Sequence, residues 1–382
     1  MEYFLNELQS EVRNLARTIA EEKVLPVRAE LDEKEEFPVE IMKDIAASGL
    51  FGIAIPEELG GIGGGAFELC LATEQFARVC GGVAVSYAAN FLGAEILIDN
   101  GSEEQKARYL PDIASGGRLC AFALTEESAG SDAGAVKTTA VKTEGGYLLN
   151  GSKRFITNGG DAELYTVIAC TDPGKGARGL SAFIVEKGIP GFTFGRKEKK
   201  MGIRASSTRE LLFNDCLVPA ENLIGREGMG FFHTMKLFEK SRPGIGSQAV
   251  GIAQGAFEAA IDHARNRVQF GEPVFNFQAV QHMLANMAMD IEAARALVYA
   301  SARTIDSGLQ KSGNLESAMS KVYASDVSMR VATDAVQILG GVGYMRDYPV
   351  EKFMRDAKIT QIYEGTNQVL RNIIASELRK KY

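Results

Sequence analysis

The segment Tyr363-Glu364-Gly365-Thr366-Asn367-Gln368 sets a carboxylate beside a glycine, so that Glu364 can approach a bound substrate without side-chain bulk in the way. Removing a proton from a carbon next to a carbonyl calls for a base that is held in place and poorly solvated. It also calls for a donor to the oxygen on which charge develops. The Glu364 side chain is a candidate for the first role and its own N–H for the second. A glutamate near a glycine more commonly ends a helix and stays in water, so the assignment depends on its surroundings.

The chain that must position this group has 382 residues, enough for two or three domains of roughly 100–200 residues. A hydrophobic content of 46%, a charged content of 24% and only 10 prolines describe a globular chain and argue against disorder. A net charge of −7 and a pI near 5.3 argue against a broad nucleic-acid or anionic-membrane surface, while leaving room for a local basic pocket. Cys70, Cys80, Cys120, Cys170 and Cys216 are widely spaced, odd in number and free of any Cys-x-x-Cys pair. Reduced thiols buried as small apolar residues are expected, and with them an intracellular, cytoplasmic protein. His233, His263 and His282 add no zinc-like spacing, so no metal is expected. No signal peptide is evident, and no apolar run of about 18 residues suggests a membrane span.

Leu5, Leu8, Val12, Leu15 and Ile19 recur at steps of three and four, which predicts an amphipathic helix. The helical pattern continues to about residue 118, broken by turns at Gly60–Gly65 and around Gly101-Ser102-Glu103. The glycines at 60–65 have no following Lys-Ser or Lys-Thr and read as a turn, not a phosphate loop. From 119 to 225 the texture changes to short β-like runs such as Tyr165–Ala169 and Ser181–Val185. Helical spacing returns from 226 to 382, clearest at Val280, Leu284, Met287, Ile291, Ala294 and Val298. The expected organisation is an N-terminal helical domain (1–118), a middle β domain (119–225) and a C-terminal helical domain (226–382). No Gly-x-Gly-x-x-Gly follows a strand, so a Rossmann nicotinamide site is not supported.

Colinear motifs sharpen this reading. They are Pro56-Glu-Glu-Leu-Gly60-Gly61, Thr125-Glu-Glu-Ser-Ala-Gly-Ser131-Asp132, Asn150-Gly-Ser-Lys153, Ile156-Thr157-Asn158-Gly159 and Arg267-Val-Gln269-Phe270-Gly271. The run from Gln337-Ile-Leu-Gly-Gly341 through Arg355-Asp356 to Tyr363-Glu364 completes them. Together they resemble the acyl-CoA dehydrogenase family over essentially the whole chain. The resemblance implies an α+β fold: an N-terminal helical bundle, a middle β-barrel and a C-terminal four-helix bundle, with flavin between the barrel and the last bundle.

By the same resemblance Glu364 is the catalytic base of an FAD-dependent α,β-dehydrogenation of an acyl-CoA thioester. Taking hydride needs a redox cofactor, since no side chain accepts it. Thr125 and Ser131 match contacts to the flavin and its pyrophosphate, and Ser131 also faces substrate. Phe155 and Thr157 match positions against the isoalloxazine ring and near N5, with Phe155 standing where many members carry tryptophan, a residue this chain lacks. Arg267, Gln269, Phe270, Gln278, Gln337 and Gly341 match positions holding the adenosine diphosphate half of FAD, several across a subunit boundary, which implies a homotetramer. Thr366 and Gln368 match further flavin contacts. Glu239, Ser241 and Arg242 match the helix beside the CoA pantetheine, and Tyr363 and Gly365 flank the base at the thioester. Some members carry their base at the position of Ser241, and serine there leaves Glu364 as the candidate.

Ala84, Tyr87 and Ala88 fall in the segment expected to line the acyl pocket. Their small neighbours favour a medium-length or ring-containing acyl group, and the absence of arginine there disfavours a distal carboxylate. An electron-transferring flavoprotein is the implied electron acceptor. Alternatives are an enoyl-CoA reductase running the reaction backwards, an acyl-CoA oxidase, and a nucleic-acid-associated flavoprotein of the same superfold. The acidic pI and Glu364 argue against the last.

Overall fold

The computed structural model describes residues 3–308 and 314–382. Its first helix, α1 (Glu7–Ile19), starts at a reciprocal cap: the Gln9 N–H donates to the Asn6 side chain, and the Asn6 N–H donates to the Gln9 side chain. Val12, Ala16 and Ile19 are buried on α1. Leu15, expected on the same face, is 40% exposed, because 3.6 residues per turn carries it to the edge of the apolar stripe. There follow α2 (Arg28–Lys34), α3 (Val39–Ala47), α4 (Ala66–Val79), α5 (Gly81–Asn100) and α6 (Glu103–Ala114).

The most apolar window of α5 has a mean hydropathy of 1.4, so this helix is long and apolar enough to cross a bilayer, contrary to the expectation from sequence. Inside the protein 78% of that window is buried. The helix is apolar on all sides because it is covered on nearly all sides.

The strands are β1 (Cys120–Ala123), β2 (Thr139–Thr143), β3 (Gly146–Thr157), β4 (Leu164–Cys170), β5 (Leu180–Glu186), β6 (Phe192–Lys197), β7 (Thr208–Pro219) and β8 (Leu223–Ile224). They pair in the order β6-β7-β3-β2-β4-β5-β8, with β1 parallel to β4. All of β4 and nearly all of β5 are buried, which is why both read as continuous apolar runs. Val167 and Phe183 face a core within the sheet shared with Tyr147, Leu149 and Phe213. Ile168 and Ile184 face the other way, onto Ile96 and Leu97 of α5 and Leu110 of α6.

After the sheet come α7 (Gly230–Asn266), a hairpin of β9 (Val268–Gln269) and β10 (Glu272–Pro273), α8 (Gln278–Asp306), α9 (Asn314–Leu339), α10 (Val350–Ile359) and α11 (Asn367–Lys381). On α8 the anticipated stripe is in place: Leu284, Met287, Ile291, Ala294 and Val298 are buried, and Val280 packs against the same core. Helices from the two ends of the chain share that core. They meet most closely where α4 lies on α7. A Cβ at Gly255 would stand 2.1 Å from the Arg78 carbonyl oxygen, and one at Gly251 would stand 2.4 Å from that of Glu74. Only glycine permits backbone to approach backbone this way.

Candidate active site

Glu364 lies in the turn between α10 and α11 with φ of 50°, and Gly365 follows at 97°. Glycine adopts the left-handed region freely, whereas a glutamate there stores backbone strain of about 1–3 kcal/mol that its surroundings must hold. They do so through several bonds. The Asn367 N–H donates to the Gln361 carbonyl (3.0 Å), and Thr366 caps α11 by accepting from the Val369 N–H (3.2 Å). The Tyr363 hydroxyl donates to the Gln248 side chain on α7. From α9, the Lys321 ammonium donates to the Gly365 carbonyl (2.8 Å) and to Asn367 Oδ1 (3.0 Å). The Asn367 amide donates in turn to Ser325 (2.9 Å) and Asp326 (2.8 Å).

The Glu364 carboxylate itself accepts a hydrogen bond from the Ser241 hydroxyl at 2.7 Å. Protein surrounds it, and it remains partly accessible because it looks into a cavity. Burial pushes its pKa above the ordinary carboxylate value. The Ser241 hydrogen bond and then the charges of Arg242 and Lys321 pull it only part of the way back.

The cavity holds about 310 Å³. Helical spacing builds two of its walls: Ala88, Leu92, Glu95 and Asp99 fall on one face of α5, and Leu237, Ser241 and Ile245 on one face of α7. Leu69 and Thr73 of α4 add a third. Most of the lining is apolar, but one part is charged. Lys240 donates to Glu95 (2.8 Å) and to Asp99 (2.7 Å). Asp306 caps α4 by accepting from the Ala66 (2.7 Å) and Phe67 (2.8 Å) N–H groups. Burial raises the pKa of both Glu95 and Asp306.

Two residues expected on this wall are in the core instead. Ala84 has no exposed surface and packs into the shared helical core, one turn before Ala88. Tyr87 is fully buried among Phe51, Phe76 and Phe91, with its hydroxyl donating to the Leu50 carbonyl at 3.2 Å. A single step along α5 swings Tyr87 about 100° away from Ala88, and four steps set Ala84 about 6 Å further along the axis.

The other anticipated residues form separate groups. Glu239 pairs with Lys236 at 2.9 Å on α7. Arg242 is buried, lies over the Phe238 ring at 5.9 Å and donates to Asn314 at 3.3 Å, so it acts on Glu364 through its charge. Thr125 and the exposed Ser131 belong to the loop after β1. Glu126 orders that loop: its buried carboxylate accepts from the Lys137 (2.7 Å) and Thr138 (3.0 Å) N–H groups and from Lys153 Nζ (2.6 Å). Burial lowers the Lys153 pKa to about 8 even with Glu126 opposing the shift.

Phe155 stands at a register shift of β3 with φ of 58° and is 59% exposed, while Thr157 closes the same strand half-buried. The Arg154 N–H next to Phe155 donates to the Thr125 carbonyl (2.7 Å), which ties the loop after β1 to this bulge, and an exposed aromatic face there suits a flat ring such as flavin. Arg267, Gln269, Phe270, Gln278, Gln337, Gly341 and Gln368 are all exposed and stand apart from the cavity wall.

Sequence reasoning assigned no role to Lys321, Gln248, Glu126, Lys153 or the Lys240–Glu95–Asp99 cluster. Lys321 carried a signal: it sits in the buried stripe Ala318, Lys321, Ser325, Ser328 of α9, where a long cation among small residues must meet a buried partner. The cluster gave none, because its lysine and its two carboxylates come from separate helices, α7 and α5.

Residues 6–117, 121–216 and 228–379 match, in order, the N-terminal, middle and C-terminal domains of acyl-CoA dehydrogenase. A short-chain-specific acyl-CoA dehydrogenase of Clostridium acetobutylicum is 46% identical over 99% of this chain and 100% of its own. The butyryl-CoA dehydrogenase structure from Megasphaera elsdenii is similar with a TM-score of 0.97 and 44% identity, covering 99% of this chain and 100% of that one. A chain solved in work on the electron transferring flavoprotein of Acidaminococcus fermentans, and on flavin-based electron bifurcation, gives a TM-score of 0.97 at 47% identity over 99% of each. With the carboxylate turn inside the third matched domain and the cavity between helices of the first and third, the chain belongs to the acyl-CoA dehydrogenase family.

Proposed function

We propose that Glu364 removes the α-proton of a short- to medium-length acyl-CoA as the chain carries out the α,β-dehydrogenation of its family. One observation carries this reading: a buried carboxylate with a raised pKa, on a bonded left-handed turn, faces an apolar cavity of about 310 Å³. That volume is at the small end of ligand pockets, which run roughly 300–1,000 Å³. The protein is an FAD-dependent oxidoreductase like its family, and bound flavin supplies the hydride acceptor that side chains cannot. Glu364 takes the proton, and its raised pKa makes it a stronger base near neutral pH. Ser241 fixes the carboxylate's direction through its hydrogen bond. The Glu364 N–H, in the same turn, is the donor assigned to the thioester oxygen.

Phe155, Thr157, Thr125 and Ser131 are the residues to hold the flavin ring. The exposed Arg267, Gln269, Phe270, Gln278, Gln337 and Gly341 suit a cofactor shared with a neighbouring subunit, as in a homotetramer. An electron-transferring flavoprotein as acceptor is supported by the Acidaminococcus neighbour. The residues named serve either direction of the reaction, and the acceptor's potential decides which one runs.

The test is Glu364→Gln. The variant should bind FAD and acyl-CoA as before, while flavin bleaching by substrate slows by roughly two to four orders of magnitude. Bleaching at the wild-type rate would remove Glu364 from the base role.

A further inference from the structure

The Glu364 turn is held from behind as well as from the cavity side. Lys321 is fully buried on α9, and two of its three ammonium protons go to the Gly365 carbonyl and to Asn367 Oδ1. Burying a lysine is costly unless its charge is matched. The charges facing it are Glu364 from the turn, Arg242 from α7 and Asp326 on α9 itself, the last paired with Arg371 of α11 at 2.6 Å. Glu364 is therefore flanked by two buried cations, neither of which needs to bond it directly to favour its ionised form. Both residues that Lys321 braces or adjoins, Glu364 and Gly365, have positive φ, so the turn would relax if the brace were removed.

We propose that Lys321 is a positioning residue for Glu364, tying the back of its turn to α9 so that the carboxylate meets the substrate in one orientation with a buried positive charge behind it. This rests on the reading of Glu364 as the base. Burial pulls the Lys321 pKa down to about 8, with the Glu364 charge opposing the shift, so the lysine is charged at neutral pH and below. Removing that charge leaves Glu364 buried with less support for its anion, and its pKa must rise further.

The test uses the FAD-loaded enzyme. Lys321→Met should keep its flavin absorbance, lose at least tenfold in the bleaching rate constant, and move the acidic limb of the rate–pH profile to higher pH. Lys321→Arg keeps the charge but not the geometry. It should lose rate with the limb close to wild type, and it serves as the second probe if the methionine variant does not fold. A wild-type rate and profile in Lys321→Met, a rate loss there with the limb unmoved, or a wild-type rate in Lys321→Arg would each overturn the proposal. Glu364→Gln run alongside separates the two failures. If it bleaches normally, the base assignment fails; if it is inactive while Lys321→Met behaves as wild type, only the role of Lys321 fails.

Discussion

Ala88→Leu probes the cavity wall at a point where the structure separates the cavity from the packed core. Ala88 is on the cavity wall, while Ala84, one turn earlier on the same helix, is sealed in the core. A leucine at position 88 extends into open space and should leave the melting temperature almost unchanged. The same change at Ala84 has no space to enter and should cost about 1–3 kcal/mol of stability. In Ala88→Leu that overpacking is met by the substrate instead. An acyl group that fills the cavity should lose about 1–3 kcal/mol of transition-state binding, roughly 5- to 150-fold in kcat/KM, and butyryl-CoA should lose little. The assay is dye-linked turnover across straight-chain and cyclic acyl-CoAs, with thermal denaturation of both variants. An equal loss of kcat/KM at every chain length, or a fall in melting temperature matching that of Ala84→Leu, would refute the reasoning and place Ala88 in the packing.

Glu364 should also show in stability. Its folded pKa lies above its unfolded value, so its contribution is fully present below the unfolded value near 4.5 and is lost as pH rises through the folded one. Glu364→Gln should therefore melt higher than wild type at pH 8, with the gap closing toward pH 4; a constant gap would show that burial does not set this pKa. Lys153→Met leaves Glu126 buried without its cation and should cost about 3–5 kcal/mol while loosening the 125–132 loop. Adding Glu126→Gln should recover much of that in chemical denaturation, and no recovery would show that the two residues act independently. Arg267→Ala should weaken FAD retention and oligomerisation together if one guanidinium serves both. Size exclusion with flavin absorbance at low protein concentration reads both, and full flavin content there would discount the shared contact.

The sequence made legible what depends on local periodicity and on contiguous motifs. The stripe on α8 and the apolar strands β4 and β5 are read from spacing alone, as is the change from helix to strand and back. Glu364 stood out because it sits beside a glycine, and the structure shows that both residues use left-handed backbone. Tyr87 and Ala84 were misplaced because a helix buried all round has no polar face from which to set its rotation. Ser86, Asn90, Glu95 and Asp99 interrupt α5 and hid its length as an apolar run. Lys240 meeting Glu95 and Asp99, or Asp306 capping α4, depends on which helix faces which, and no pattern within one segment records that.

The contact of α4 with α7 at Gly251 and Gly255 fixes the width of the cavity. Leu69 and Thr73 stand on one of these helices, and Leu237, Ser241 and Ile245 on the other. Their separation is set where backbone touches backbone, about two to four turns along α7 from Ile245 and Ser241, and not by the side chains that line the cavity. The pocket then behaves as a fixed gauge. Side chains projecting into it can shorten or lengthen the space available, as at Ala88, but they cannot spread its walls. A graft of α4 or α7 from a relative with another acyl preference should transfer that preference only if the small residues at this crossing come with it.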